Sequence, residues 1–278
     1  MQKENPEEEK KNLTESLVNI FRWLRSLSSI NMKRIAVLSD IHGNIAALEA
    51  VVNDIKRKNI DHIVNLGDHI SGPLWPEETI RYLMKQDWIH ILGNHDRNLI
   101  SQDPHDHRLS DQYSFKSIGK NEKDWLKSLP KNIEAQEGLF LFHGTPFNDE
   151  IYLLETIENG RARLATHAEI SDRLSATYYK QLACGHSHIQ RVVELPGSII
   201  IVNPGSVGLP AYDDTLPEYH IMESGSSHAR YSIIDYQNSL PSVDMISVSY
   251  DYKIAVKQAL KNDRPDWAKG LESGYMVD

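Results

Sequence analysis

From residue 33 onward, short continuous apolar runs alternate with stretches whose apolar side chains recur at helical spacing. The runs within 34–40, 61–68 and 88–96 are rich in β-branched residues and predict buried strands. Between the first two, residues 44–58 place Ile45, Leu48, Val51, Val52 and Ile55 on one face of a predicted helix. Pro76 stands where a second helix, 76–86, would begin. Strand, helix, strand, helix, strand predicts a parallel sheet flanked by helices.

The second half of the chain is richer in predicted strands. These are 138–145, 181–188, 190–195, 198–203, 219–224 and 229–235. A helical stretch is predicted at about 155–175, and a last helix at 252–262. We therefore expect an α/β fold with two packed mixed β-sheets flanked by helices, in one domain covering 33–278.

The first 32 residues differ in pattern and predict an N-terminal extension. Residues 1–12 are charged and aperiodic, which predicts disorder. Residues 13–30 carry an apolar stripe typical of an amphipathic helix: Leu13, Leu17, Ile20, Phe21, Leu24 and Leu27. We favour a helix packed on its own domain, or an extension upstream of a start at Met32. A membrane-surface or partner-docking helix is the alternative.

Charge, cysteine count and hydropathy exclude several classes of function. The net charge is -9, from 30 basic and 39 acidic residues, without a dense run of Lys and Arg. Sequence-specific nucleic-acid binding is therefore not expected. Cys184 is the only cysteine, which excludes an intramolecular disulfide. No apolar run approaches the ~20 residues of a transmembrane segment, and the polar N-terminus is unlike a secretory signal. We predict a soluble, cytoplasmic protein, with a homo-oligomer left open.

Five short motifs, each at the end of a predicted strand, carry residues suited to metals. They are Asp40-Ile41-His42, Gly67-Asp68, Gly93-Asn94-His95-Asp96, His143-Gly144 and Gly185-His186-Ser187-His188. Ligands of open α/β sheets bind outside the carboxyl ends of strands, so these loops are expected to converge. A mixed oxygen and nitrogen set favours manganese, iron, zinc, cobalt or nickel over calcium. In Asp40-x-His42 and His186-x-His188, an extended chain would place both side chains on one side.

These motifs, in this order, resemble those of the calcineurin-like metallophosphoesterase superfamily, over residues 33 to about 210. The pattern is D-x-H, GD, GNH(D/E), H and GHxH. The resemblance implies a four-layer sandwich and two divalent metal ions, manganese first, with iron, zinc, cobalt or nickel possible. It implies that Asp40, His42, Asp68 and His188 hold one ion. The second would be held by Asp68, Asn94, His143 and His186, with Asp68 bridging and His95 catalytic.

The expected reaction is hydrolysis of a phosphate ester by a hydroxide that bridges the two metal ions. Paired metals can clamp the entering and leaving oxygens of such a displacement. His95 would protonate the leaving alkoxide or donate a hydrogen bond to it.

The expected substrate is a phosphorylated small molecule or nucleotide, most of all a phosphodiester. The chain reads Gly-Asp-His-Ile-Ser-Gly-Pro, where protein phosphatases and symmetrically cutting diadenosine tetraphosphatases carry GDxxDRG. The chain also carries the loop Asn203-Pro-Gly-Ser-Val-Gly, which we expect in the pocket wall. With this loop, the chain looks closer to the small bacterial phosphodiesterase-like branch of the superfamily. A diadenosine tetraphosphate hydrolase or a protein phosphatase is the alternative among enzymes. A non-catalytic scaffold of the same fold is the alternative of another class, which the retained His95 disfavours.

Three further residues are candidates for substrate binding. Arg97 and Arg191 follow two of the motifs and suit bidentate contacts to phosphate, although exposed arginines are common. Asn44 would contact phosphate or cap the helix that starts there.

The remaining reactive side chains have structural interpretations. His69 follows Asp68 and could reach the pocket; we give this interpretation and a purely structural one equal weight. His105 and His107 are expected in a solvated or lid loop. Cys184, within an apolar strand, is expected to be a buried structural thiol.

Overall fold

The computed structural model describes residues 34–135, 138–175, 177–237 and 241–276. The predictions for the N-terminal extension, 1–32, lie outside these residues. The described strands are β1 Arg34–Leu38, β2 His62–Asn65, β3 Ile89–His90, β4 Asn132–Glu134, β5 Leu139–Phe142, β6 Glu155–Glu158, β7 Arg161–Leu164, β8 Gln181–Ala183, β9 Arg191–Leu195, β10 Ile199–Asn203, β11 Ala211–Asp214, β12 His220–Glu223, β13 Ala229–Asp235 and β14 Ser242–Val248. The described helices are α1 Ile45–Arg57, α2 Pro76–Leu83, α3 Asn94–Ser101, α4 Leu109–Ser117, α5 Lys120–Ser128, α6 His167–Leu174, α7 Tyr252–Lys261 and α8 Pro265–Ser273.

Two five-stranded sheets form the centre of the fold. The first has the order β14-β13-β1-β2-β3 and the second β4-β5-β8-β10-β9. β1 pairs in parallel with β2, and β2 with β3. In the second sheet β8 pairs in parallel with both β5 and β10. The carboxyl ends of β1, β2 and β3 therefore share one edge, as do those of β5 and β8.

Three apolar layers hold the sheets and helices together. Between the sheets lie side chains from both, including Val37, Leu66, Leu141, Ala183 and Val202. Leu48, Val51 and Ile55 of α1 pack on the outer face of the first sheet. Ile170 and Leu174 of α6 pack on the outer face of the second. The order helix, sheet, sheet, helix confirms the predicted α/β class with two mixed sheets flanked by helices.

Local sequence explains where the predicted helices begin. Asn44 caps α1 by accepting a hydrogen bond from the Ala47 N–H at 3.1 Å, which satisfies one of the free donors at the helix start. Pro76 opens α2, as predicted. Cys184 lies 1% exposed in the layer beside α6, where burial raises the pKa of its thiol well above the usual value. Its predicted structural role fits this position.

The helix predicted at 155–175 is wrong over its first half. Residues 155–164 form the hairpin β6–β7, and only His167–Leu174 are helical. The chain turns at Asn159 and Gly160, whose φ angles are 53° and 73°. Asn-Gly is the dipeptide that two-residue hairpin turns favour, because both positions need positive φ. This hairpin belongs to a third sheet, β11-β12-β7-β6, that the sequence did not predict.

Candidate metal centre

The five motifs meet at the edge where the carboxyl ends of the parallel strands lie. Asp40 and His42 follow β1, and Asp68 follows β2. Asn94 and His95 open α3 just beyond β3, His143 follows β5, and His186 and His188 follow β8. The structure thus brings together all seven predicted metal ligands and His95; their role as ligands stays a prediction.

Asp40, His42 and His188, all buried, form the first of two clusters able to hold an ion. The Nε2 atoms of His42 and His188 lie 3.1 Å apart, and His188 Nε2 lies 3.3 Å from Asp40 Oδ1. Both imidazoles donate their Nδ1–H to a backbone carbonyl, His42 to Ser71 and His188 to Leu209, each at 2.7 Å. The two Nε2 lone pairs therefore face each other, and only a cation or a proton between them relieves the repulsion.

The second cluster is Asp68, His143 and His186. His143 donates its Nδ1–H to the Leu66 carbonyl at 2.7 Å. Its Nε2 faces Asp68 Oδ2 at 3.3 Å and Asn94 Oδ1 at 2.9 Å. This set offers two oxygens and two nitrogens without a thiolate, which suits the divalent transition metals of the prediction.

Asp68 lies between the two clusters. Its Oδ2 is 3.8 Å from His42 Nε2 in the first cluster and 3.3 Å from His143 Nε2 in the second. The Asp68 side chain is 1% exposed, so its carboxylate meets neighbours and little water. This position is the one that a bridging carboxylate needs.

Several of these residues lie in the left-handed backbone region. The φ angles are 55° at Asp40, 51° at His42, 55° at Asp68, 69° at His186 and 60° at His188. The extended backbone expected for Asp40-x-His42 and His186-x-His188 is therefore wrong, because their side chains converge through turns. Non-glycine residues adopt such angles at a cost, and they concentrate at functional sites.

Glycines make room for the clusters. A Cβ at Gly93 would overlap the Asp68 carboxylate, and one at Gly185 would overlap Ser39 Oγ. Both positions therefore need glycine because of close approach rather than positive φ.

Asp96, the last residue of the third motif, fixes the backbone around Asp68. Its carboxylate accepts the N–H groups of Asp68 at 2.8 Å, His69 at 3.0 Å and Gly93 at 3.1 Å. His69 Nδ1 donates to the same carboxylate at 2.7 Å. His69 is fully buried and is not among the residues that line the cavity beside the clusters, so its contribution is to hold Asp96.

The electric field of the site sets the protonation of its groups. Burial lowers the pKa of His42 to about 4 and that of His186 to about 3. Burial opposes ionisation of Asp40, but His188 holds the pKa of this carboxyl at about 2. Burial would lower the pKa of His143, yet Asp68 raises it to about 10. Ionised carboxylates beside neutral His42 and His186 are the forms that bind metals.

His95 faces the cavity next to the first cluster, with its ring centroid 5.5 Å from that of His42. Its Nδ1 lies 2.9 Å from Asp111 Oδ1, so Nε2 is free to meet a substrate. Burial would lower the pKa of His95, but the carboxylates of Asp111 and Asp68 raise it to about 9. The sequence did not reveal Asp111, because it lies within α4 and outside every motif.

A cavity of about 330 Å³ opens over the clusters. Its lining includes five residues of the motifs, His42, Asp68, His95, His186 and His188. The remaining lining residues, called the outer wall, are Ser71, Arg108, Leu109, Ser110, Leu209, Ala211, Tyr212, Asp213, Asp214, Arg264, Asp266, Trp267 and Met276. α4, β11 and α8 supply most of this wall, so elements outside the motifs shape the space for a ligand.

The loop at 203–208, predicted in the pocket wall, braces the ligand loops. Asn203 donates to the Gly185 carbonyl at 2.9 Å, and Ser206 Oγ donates to the Asp40 carbonyl at 2.8 Å. The cavity lining begins only at Leu209. The loop therefore positions Asp40 and the last motif rather than contacting the cavity.

The three predicted substrate-binding residues do not line this cavity. Asn44 is fully buried; besides capping α1, it donates to the Gly208 carbonyl at 2.9 Å. Arg97 makes a two-pronged ion pair with Asp149 at 2.7 and 2.8 Å. Arg191 donates to Glu155 at 2.7 Å. The capping interpretation of Asn44 is the one its contacts favour, and both arginines are already paired.

The loop that carries His105 and His107 was predicted to be solvated, and this is correct for His105 but not for His107. His105 is exposed, but His107 is 4% exposed and its Nε2–H donates to the Asn98 carbonyl, 3.2 Å away. His107 thereby anchors the segment that leads into Arg108.

Comparison with known proteins agrees with this geometry. A family model described as the calcineurin-like phosphoesterase superfamily domain matches residues 32–227. An uncharacterized protein of Methanocaldococcus jannaschii is 28% identical over 258 residues, which is 84% of this chain and 94% of that protein.

Two solved structures share the fold. A metallophosphoesterase from Sphaerobacter thermophilus has a TM-score of 0.68 at 22% identity, over 88% of this chain and 100% of that one. A hypothetical protein from Pyrococcus horikoshii has a TM-score of 0.68 at 20% identity, over 88% and 99%. Among the helices of the described ranges, none has the length and apolar character that crossing a bilayer requires.

Proposed function

Because the chain belongs to the calcineurin-like phosphoesterase superfamily, we propose that it hydrolyses a phosphodiester or nucleotide with two divalent cations, manganese first. At the level of the family, the chain is a metal-dependent phosphoesterase. The observation that supports a paired-metal site is the position of Asp68, 3.8 Å from a nitrogen of one cluster and 3.3 Å from a nitrogen of the other.

The chain's own residues would divide the work as follows. Asp40, His42 and His188 would hold one cation, Asn94, His143 and His186 would hold the other, and Asp68 would contact both. When bound, the cations activate water as the nucleophile and stabilise negative charge on the phosphoryl oxygens. The carbonyls that accept each Nδ1–H of His42, His188 and His143 fix the orientation of these rings and leave each Nε2 available to a cation.

His95 would donate a proton to the leaving oxygen. Asp111 accepts its Nδ1–H and stabilises the imidazolium form, which leaves Nε2–H directed at the cavity. Nearby cations would lower the raised pKa of His95 towards neutrality, where proton transfer is most effective.

The cavity supports a small ester rather than a polyphosphate chain. Arg108 and Arg264 contribute two positive charges to the outer wall, and Asp213, Asp214 and Asp266 contribute three negative charges. Leu109, Leu209 and Trp267 give this wall apolar surface. A neutral nucleoside or aryl group suits such a wall, whereas further phosphates would meet an excess of negative charge.

A substrate panel tests the proposal. Purified protein is assayed with an aryl phosphodiester, an aryl phosphomonoester, nucleotides, diadenosine tetraphosphate and a phosphopeptide, with manganese and with a chelator. We expect manganese-dependent turnover, fastest with a diester or nucleotide. A preference for diadenosine tetraphosphate or phosphopeptide would identify one of the alternative enzymes, and inactivity with every divalent metal would favour a scaffold.

A further inference from the structure

One arginine at the cavity is only partly engaged. The Arg108 side chain is 51% exposed, and its Nη1 donates to Asp214 at 3.1 and 3.2 Å. Its Nε and Nη2 make no hydrogen bond within the described part of the chain. These two groups lie on one edge of the planar guanidinium, the edge that matches two oxygens of a phosphate.

The other arginines near the site differ in this respect. Arg264 lines the same cavity, but its Nε and Nη2 both bind Asp266 and its Nη1 binds Ser110. Arg97 is held by Asp149 and Glu150, and Arg191 donates its Nε to Glu155; neither lines the cavity. Arg108 therefore combines a place in the cavity lining with unused donors.

The backbone at Arg108 is fixed before any ligand arrives. The Gln112 N–H donates to the Arg108 carbonyl at 2.9 Å, and Gln112 Nε2 donates to the His107 carbonyl at 2.8 Å. The buried His107 ring packs against Phe115 with centroids 5.1 Å apart. An arginine on such an anchored segment loses less conformational entropy when it binds a ligand than an arginine on a mobile loop does.

We propose that Arg108 binds non-bridging oxygens of the substrate's phosphoryl group through its Nε and Nη2, an inference that rests on the proposed hydrolysis. Arg108 lines the cavity together with His95 and Asp68, so a phosphoryl group seated at the clusters lies in the space that Arg108 faces. Asp214 accepts hydrogen bonds only from Nη1 of the Arg108 guanidinium, so it orients this group and leaves Nε and Nη2 available. Arg108 thereby takes the place that the sequence had led us to expect for Arg97 or Arg191.

Asp214 provides the matched control, because Arg108→Gln and Asp214→Asn each break the same ion pair. Only the first removes the charge that would meet phosphate. Asparagine at 214 also keeps an oxygen for the Thr215 and Leu216 N–H groups. We expect Arg108→Gln to raise KM for an aryl diester and the inhibition constant of inorganic phosphate by about tenfold or more. We expect Asp214→Asn to lower the inhibition constant.

Calorimetric titration of inorganic phosphate into the manganese-loaded protein gives a readout apart from turnover. Thermal melts check folding, and Arg108→Lys serves if the glutamine variant does not fold; lysine keeps the charge but loses the paired donors and should weaken phosphate binding several-fold. Equal phosphate affinity in wild type and Arg108 variants would overturn the proposal. So would equal losses in Arg108→Gln and Asp214→Asn, since a structural ion pair would then explain both.

Different results would contradict the proposed hydrolysis and the proposed contact between Arg108 and phosphate. If no ester is hydrolysed but phosphate binding depends on Arg108, the proposed hydrolysis fails and the phosphate contact stands. If esters are hydrolysed and a variant of Arg108 raises KM without changing phosphate inhibition, Arg108 contacts a remote group and the present inference is wrong.

Discussion

The pairing of His95 with Asp111 makes a quantitative prediction about pH. In Asp111→Asn the His95 ring keeps a hydrogen-bond partner at 2.9 Å but loses the opposite charge. Asp111 is fully buried, so water does not screen the interaction strongly. An opposite charge at this distance raises a pKa by about 1–3 units, and the pKa of His95, at about 9, stands above its usual 6.5.

The sign follows from the proposed role of His95 as a proton donor. Activity requires the protonated ring, so the rate falls as pH rises through its pKa. Removal of the carboxylate lowers this pKa, and the alkaline limb of kcat should move down by about 1–3 pH units. Bound cations shift wild type and variant alike, so the difference between them is the predicted quantity.

The assay is kcat against pH for a nucleoside or alkyl ester, with a p-nitrophenyl ester beside it. The aryl leaving group needs little protonation, so its profile should move less. Ser71→Ala is the matched control: Ser71 contacts both His95 and Asp111 but carries no charge. An unmoved alkaline limb in Asp111→Asn, in protein that melts normally, would refute the reasoning.

Three further predictions concern the metals and the proton donor. Asp68→Asn should lower metal content at both clusters, because one carboxylate serves both; full occupancy by elemental analysis would contradict bridging. His95→Ala should keep its metal and lose about 10²–10⁴ in turnover, most of all with poor leaving groups, and unchanged rates on an alkyl ester would remove His95 from the mechanism. Removal of metal by a chelator should lower the melting temperature, since ions at 100 times their Kd stabilise the folded state by about 2.7 kcal/mol per site; identical melts would argue against bound metal.

The sequence predicted that the seven candidate ligands would lie together, because their positions follow from chain order. Parallel strands such as β1 and β2 share a carboxyl edge, so Asp40 and Asp68 had to lie near each other. Asp111 could not be predicted in this way, because it approaches His95 from α4, through tertiary packing that no local pattern records. The same holds for Arg108, which precedes α4.

The hairpin at 155–164 is a different kind of failure. Its turn signal, Asn159-Gly160, is visible in the sequence, but the surrounding Glu and Arg residues suit a solvated helix as well as an exposed strand. β6 and β7 have exposed or half-exposed residues over most of their length. Without a buried face, the period of apolar residues carries little information.

The left-handed backbone conformations at five residues of the clusters imply a conflict between stability of the fold and metal binding. These residues are Asp40, His42, Asp68, His186 and His188. Each such angle costs an L-residue about 1–2 kcal/mol relative to glycine, which adopts it freely. Glycine at His186 should therefore relax the loop while it deletes a nitrogen donor. We expect the metal-free His186→Gly protein to have a higher melting temperature than the metal-free parent, so that selection for thermal stability alone would remove the residues to which we assign metal binding.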